Sequence, residues 1–406
     1  MAYKRFESER FSDILKKPIL TDSVGLPRYW VVVWSSFAIH NLAHSSETKT
    51  LRYIDAFYVF SEELCGLGYL DKILANLDIS KIGELLEAYF ISLQNLDEIN
   101  SSISNKWDYC VAFVQDIVKY LSGNIIDEYN NKQGLSHINY LYEKYGQLKI
   151  QESKIPEPLR SLPSSVVKEL YNLLDVDSDI NPFKRPISRW NTFIIFRFAL
   201  HCGLRRGEML LLPVNAVKSE FDNNLGKIRY WINVTKIDEY ADLDKRHNKP
   251  GIKTSSSYRS VPISEITAIL IQSYVENIRG KPNHPFLLNT QKNTPLSHEA
   301  ISYYFDIINY MLPFEVKLTL SNGLRKETVD PHDLRHTCAV VMLNRLLEKH
   351  SMDESLQQMR AFFGWSRESD MPLKYARAVF EDRLASVWMD IFDDHIELIR
   401  KIPEGI

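Results

Sequence analysis

Between Asp330 and Tyr375 the chain gathers residue types that suit an anionic ligand. The run Asp330-Pro331-His332-Asp333-Leu334-Arg335-His336-Thr337 places an imidazole, a guanidinium and a second imidazole at i, i+3 and i+4. On a helix these three share one face, so their donors project together. The helix start is legible: Asp330 suits the N-cap, Pro331 the first helical position and Asp333 the first turn. Free N–H groups and the helix dipole at that end favour an anion. The outline is that of a phosphate site. The same trio also fits a buried helix whose His and Arg cap neighbouring elements, and the segment alone does not separate the two readings.

The elements that must position this trio follow from the rest of the chain. Ala339, Val340, Leu343 and Leu347 form an apolar stripe that buries the helix. Upstream, Arg189 to Leu200 reads as a strongly apolar helix stopped by Gly203, followed by Leu204-Arg205-Arg206-Gly207-Glu208. Ile228 to Val234 and Ser257 to Ile263 alternate as two strands, separated by a polar loop holding Lys245, Arg246, Lys249 and Lys253. Ser164 to Leu174 is helical and Asp175 to Arg185 is loop. In the N-terminal third, Gly25 to Trp34 reads as β-like or extended. Helical spacing runs through Leu51 to Leu64, through Ile82 to Phe90 and from Trp107 to Leu121. The expected architecture is mainly α with a small antiparallel β-sheet, in two domains. Residues 1–150 form a helical domain, a Pro-, Lys- and Glu-rich linker covers 151–163, and 164–406 form the second domain. An amphipathic helix at about 384–399 closes the chain.

Composition limits the alternatives. With 406 residues, 45% hydrophobic and 25% charged, the sequence supports two cores and fits no disordered class. A net charge of -3 disfavours a wholly basic nucleic-acid binder, so any DNA surface must be a local arrangement of charge. The acidic excess lies in the first 150 residues. Cys65, Cys110, Cys202 and Cys338 show neither CxxC nor CxxH spacing, so no zinc knuckle or disulfide framework is indicated, and buried free thiols are expected. Neither a signal peptide nor a membrane span is read, and a cytoplasmic location is expected.

Four segments now stand in order: Gly203-Leu204-Arg205-Arg206-Gly207-Glu208; Lys253-Thr254 ahead of Arg259-Ser260-Val261-Pro262-Ile263; His332-Asp333-Leu334-Arg335-His336-Thr337; and Gly364-Trp365 followed by Tyr375. Together they resemble the catalytic signature of the tyrosine recombinases, the phage integrase family. The resemblance covers the second domain well and the first loosely. It implies a two-domain clamp, the helical domain acting as a core-binding domain on duplex DNA. It also implies strand cleavage through a 3′-phosphotyrosyl intermediate, with no metal and no cofactor. The partners implied are double-stranded DNA carrying a specific recombination site and a homo-tetramer on two duplexes, and the biological setting is integration by a mobile element. A type IB-like topoisomerase and a non-catalytic DNA-binding relative are the alternatives.

Residue by residue, Arg205 and Arg335 match the two arginines that bind the non-bridging phosphate oxygens, a task suited to planar, permanently charged groups. Arg206 is the adjacent alternative to Arg205. Glu208 is expected to orient an arginine or its helix. Lys253 matches the lysine that protonates the departing 5′-oxygen. Tyr375 is the nucleophile, preferred over Tyr303, Tyr304 and Tyr310 by its place after Gly364. His332 is the imidazole expected to take or polarise its proton, and His336 is assigned a structural part. Trp365 stands where many members carry histidine; its indole cannot act as acid or base, but its N–H can donate to a phosphate oxygen and its ring can buttress the tyrosine helix. Pro372 stands where threonine is frequent, and the Trp365 to Tyr375 spacing is one residue longer than in many members.

Overall fold

The computed structural model describes residues 2–4, 18–42, 44–123, 136, 139–140, 143–151, 161–224, 226–235, 244, 246, 249–252, 255–377 and 379. Lys253, most of the expected linker and the expected helix at 384–399 lie outside the described residues. The chain divides into two compact units, Met1–Pro156 and Glu157–Ile406.

The first unit is built from helices α1 (Tyr29–Phe37), α2 (His44–Cys65), α3 (Tyr69–Ala75), α4 (Ile79–Gln94) and α5 (Ser101–Gly123), beside an antiparallel pair of short strands, β1 (Ala2–Lys4) and β2 (Ile19–Thr21). Its core joins Trp34, Phe57, Tyr58, Trp107 and Phe113. Tyr29 to Trp34, expected as extended, is instead the first part of α1. The β-branched run suggested a strand, but Trp30, Val31 and Trp34 bury together on one helical face. Trp34 packs edge-on against Phe113 at 5.4 Å and donates its indole N–H to Asp116 at 2.9 Å. Tertiary packing overrides local β propensity there.

The second unit follows as α6 (Ser164–Leu174), α7 (Pro186–Cys202), α8 (Arg206–Leu211), strands β3 (Val217–Asp222), β4 (Lys227–Val234) and β5 (Arg259–Ile263), then α9 (Glu265–Asn277), α10 (His298–Met311), α11 (Phe314–Leu324), α12 (Pro331–Leu346) and α13 (Met352–Phe363). A last helical stretch, α14, spans 371–377. The fold is thus mainly helical with a small antiparallel sheet, ordered β3-β4-β5, in which Ile232 faces Val261. Strand β3 was not anticipated: its residues are mostly exposed and carry charge, so they lack the alternation that marks a half-buried strand.

Helix α7 is the axis of this unit. Asn191 to Phe196, Phe198, Ala199 and Cys202 are all buried, so it is covered on nearly every side, with α12 packed along it. Pro186 starts it, and Gly203 ends it in the left-handed region at φ 56°. Helix α12 begins as expected: the Asp330 carboxylate accepts from the N–H groups of His332 (2.6 Å) and Asp333 (3.2 Å), and Asp333 accepts from the Asp330 N–H at 2.8 Å. Among the cysteines, Cys110, Cys202 and Cys338 are buried free thiols, but Cys65 is exposed. No helix among the described residues is long and apolar enough to cross a membrane.

Gly203 has no room for a side chain. Besides its positive φ, a Cβ there would lie 2.3 Å from Cε1 of Phe363. Gly203→Ala is expected to cost about 3 kcal/mol through backbone strain and overpacking. That corresponds to a drop on the order of 6–12 °C in the melting transition of the second unit. Calorimetry of the full chain checks this, and an unchanged transition would show that Phe363 can move aside freely.

Candidate active site

The short helix α8 opens the site. Arg205 is its N-cap in extended conformation, and Glu208, three residues on, reaches back to accept the Arg205 backbone N–H at 2.9 Å. The Glu208 side chain is 1% exposed and meets three guanidiniums. Its Oε1 accepts from Nη1 of Arg205 at 2.7 Å and from Nη1 of Arg259 at 3.2 Å; its Oε2 accepts from Nη2 of Arg259 at 3.0 Å and lies 3.9 Å from Nη1 of Arg335. Burial alone would raise the Glu208 carboxyl. The hydrogen bonds and charge of Arg259, then the charge of Arg335, outweigh that and hold it below the usual carboxylate range.

Arg335 projects from α12 into this cluster and is 3% exposed. It donates to the Gly203 carbonyl and, at 2.9 Å, to the Phe363 carbonyl, so it ties the end of α7 to the end of α13. Its guanidinium lies 5.0 Å over the Phe363 ring and 5.8 Å over the Trp365 ring. Burial, reinforced by the nearby charges of Arg205 and Arg259 and opposed by Glu208, pushes it down to about 9. Arg205 is the more open of the two, its side chain 24% exposed, with a second bond to Ser257 Oγ at 3.1 Å. Arg206 turns elsewhere, to Ser302 on α10 at 3.4 Å.

Tyr375, on α14, is brought into the same cluster. It is 2% exposed, and its hydroxyl lies 2.6 Å from Nδ1 of His336. The imidazole expected against this hydroxyl was His332; the structure puts His336 there. The reason is helical geometry: His336 lies one turn deeper along α12, where the tyrosine is buried, while His332 sits exposed at the helix start. The two imidazoles touch edge to face, centroids 4.3 Å apart. Burial pushes the Tyr375 phenol up to about 12, against the opposing charge of Arg335. Trp365 stacks on the Tyr375 ring at 5.6 Å and 14°, and Phe363 stacks on Trp365 at 4.7 Å and 16°. The longer Trp365 to Tyr375 spacing is absorbed by a turn, and Pro372 falls in the first turn of α14, where its missing N–H is tolerated.

Three guanidiniums, a buried carboxylate and a buried phenol therefore meet within the second unit. A sequence model of the phage integrase family matches residues 161–380, more than half of the chain. The chain belongs to that family. Tyrosine recombinases cleave and rejoin DNA strands, and this integrase is a DNA strand-transferring enzyme of the site-specific recombinase type. The topoisomerase alternative gains no support. Similar solved structures are the XerA recombinase (15% identity, 81% of this chain and 98% of that one, TM-score 0.32) and the XerH site-specific recombinase bound to difH substrate in a pre-cleavage complex (14%, 87% and 94%, 0.36). A third is a lambda integrase(75-356) dimer bound to a COC' core site (12%, 86% and 94%, 0.36). Membership rests on the family match, not on these weak superpositions. No curated protein sequence matches this integrase.

Two arginines around the site, Arg259 and Arg246, were given no functional role from the sequence, although Arg259 opens part of one of the four signature segments. Arg259 was read only as the start of a strand, yet it contacts Glu208 and donates to the Phe362 carbonyl at 2.6 Å and the Ser257 carbonyl at 2.9 Å. Its carboxylate partner, Glu208, lies 51 residues earlier in the chain. Arg246 was read as one more cation of a polar loop. It is instead 8% exposed, donates to Asp244 through Nε (2.8 Å) and Nη2 (2.7 Å), and reaches the carbonyls of Leu210 and Leu296. The pair clamps the loop between β4 and β5 onto α8. Gly207 lets that loop approach closely, since a Cβ there would lie 2.7 Å from the Gly251 carbonyl oxygen.

Because Glu208 offsets buried positive charge, Glu208→Gln is expected to cost about 3–5 kcal/mol. A carboxyl held low in the folded state stabilises the fold above its unfolded pKa of about 4.3, and that contribution disappears as pH falls through the folded value. Acid should therefore weaken the second unit more steeply in the native chain than in Glu208→Gln. Urea unfolding across the acid range tests this; parallel curves would show that Glu208 is not the group that titrates.

Proposed function

We propose that this integrase cleaves double-stranded DNA at a specific recombination site by attack of Tyr375 on a phosphodiester and rejoins it to a partner strand. The observation that carries the reading is the Tyr375 hydroxyl held 2.6 Å from His336 beside Arg335. Arg205 and Arg335 bind the non-bridging oxygens, whose charge grows as the phenol oxygen adds to phosphorus. A phenol near 12 needs a base at neutral pH. An unprotonated Nδ1 of His336 accepts the proton, and His332, exposed at the start of α12, donates to the phosphate. Trp365 holds the nucleophile by stacking, with no part in proton transfer. Lys253, outside the described residues, protonates the departing 5′-oxygen. The products are a 3′-phosphotyrosyl bond and a free 5′-hydroxyl, and attack by a 5′-hydroxyl of a second duplex restores the phosphodiester.

On this reading the unit Met1–Pro156 is a core-binding domain that completes a clamp around the duplex, four copies act on two duplexes, and the reaction belongs to a mobile element in the cytoplasm. No step calls for a metal or a cofactor.

A library of nicked duplexes with randomised cores, in which cleavage releases a short fragment and traps the protein, tests the chemistry without knowing the site. The native chain is expected to yield a detergent-resistant adduct and Tyr375→Phe none; an adduct at full yield from Tyr375→Phe would sink the assignment. On the duplex recovered, His336→Ala is expected to slow single-turnover cleavage by about 10²–10⁴-fold, and a larger loss in His332→Ala would return the base to His332. Lys253→Ala should be largely rescued when sulfur replaces the 5′-bridging oxygen, since a thiolate leaves without a proton. Equal defects on both substrates would move the acid role to another group.

A further inference from the structure

We infer that Arg259 is a positioning residue for strand cleavage: through Glu208 it sets the two phosphate-binding arginines in place. The inference rests on the phosphotyrosyl reading above. Arg259 lies at the first position of β5, and its side chain is 6% exposed. It uses its planar fork in full. Nη1 and Nη2 grip the two Glu208 oxygens, Nη1 also donates to the Ser257 carbonyl, and Nε donates to the Phe362 carbonyl. Three parts of the site thus converge on one side chain. Glu208 carries Arg205 and lies beside Arg335; Ser257 bonds Arg205 through its hydroxyl; and Phe362 precedes Phe363, whose carbonyl holds Arg335.

The packing leaves no slack in this arrangement. Gly364 ends α13 at φ 62°, and a Cβ on it would lie 2.9 Å from Nη1 of Arg259 and 2.9 Å from Cα of Ser257. The chain that leads to Trp365 and Tyr375 therefore passes in contact with Arg259. A carboxylate has no orientation of its own among three cations. The bidentate contact with Arg259 fixes its plane, and one oxygen is then left facing Arg205 and the other Arg335. Lysine could keep the charge at this position but not the fork, so the role belongs to the shape of the group as well as its charge.

The test uses the full chain and the duplex sequence recovered from the randomised library, synthesised with either a phosphodiester or a methylphosphonate at the scissile position. A methylphosphonate carries one negative charge fewer, so its cleavage depends less on two well-placed guanidiniums. Arg259→Met and Arg259→Lys are both expected to slow phosphodiester cleavage on the order of a hundredfold, the cost of a small misplacement, with DNA affinity held to within about threefold. The loss on the methylphosphonate should be about tenfold smaller. As a second readout on the ordinary phosphodiester, Arg259→Met added to Glu208→Gln should slow cleavage by no more than about threefold beyond Glu208→Gln alone, since the two act as a unit. Equal losses on the two substrates, additive losses in the double variant, or affinity falling in step with rate would overturn the role, because each describes a merely structural arginine. If the native chain forms no adduct with any library member, the phosphotyrosyl reading itself fails and this inference with it.

Discussion

A buried carboxylate is costly unless its charge is answered at close range. Glu208 is answered three times over, by Arg205, Arg259 and Arg335, and most of the catalytic unit can be read as the means of bringing those groups to it. They come from the start of α8, the start of β5 and the first turns of α12. No two of these elements are adjacent in the chain, so the ion cluster is also a cross-link of the fold. A buried cluster of this kind adds little net stability compared with apolar packing, but losing one member strands the others. Its value lies in specifying where each guanidinium points.

The second constraint is steric. In the second unit, helices α7 and α13 end on glycines in the left-handed region, Gly203 and Gly364, and both leave no space for a methyl group. At each of these ends a free carbonyl is turned toward Arg335: Gly203 itself after α7, and Phe363 just before Gly364 on α13. Helix C-termini carry partial negative charge, so Arg335 is held by backbone dipoles as much as by Glu208. The stack of Phe363, Trp365 and Tyr375 then continues from the same corner. Tyr375 is thereby referenced to Arg335 through rings and backbone, which are stiff, rather than through flexible side chains.

How much of this was legible in the sequence divides along the same line. The capping residues of α12, the apolar stripe behind it and the glycine stop after α7 are local signals, and local signals survive reading one residue at a time. The segment Tyr29 to Trp34 was misread because its β-branched residues speak for a strand, while its burial pattern is set by α5, far along the chain. Arg259 and the Arg246–Asp244 pair escaped notice for a different reason. An arginine in a strand or a polar loop looks solvated until the partner that buries it is known, and those partners, Glu208, Leu210 and Leu296, lie tens of residues away. The choice between His332 and His336 also turned on depth. Both face the same way along α12, and only the position of α14 decides which one meets the phenol.

The charge count of the site bears on how an acidic chain can act on a polyanion. One carboxylate, Glu208, is shared among Arg205, Arg259 and Arg335, so the cluster of four carries a net charge of +2. Burial and mutual repulsion depress Arg335 to about 9. A phosphodiester entering this cradle contributes one negative charge, and the five-coordinate phosphorus formed on attack carries a second. On the proposed reading of the site, the excess of two positive charges matches the transition state better than the ground state, the condition for catalysis by differential binding. On that reading, a buried cluster of cations, rather than a broad basic surface, lets a protein of net charge -3 meet that condition.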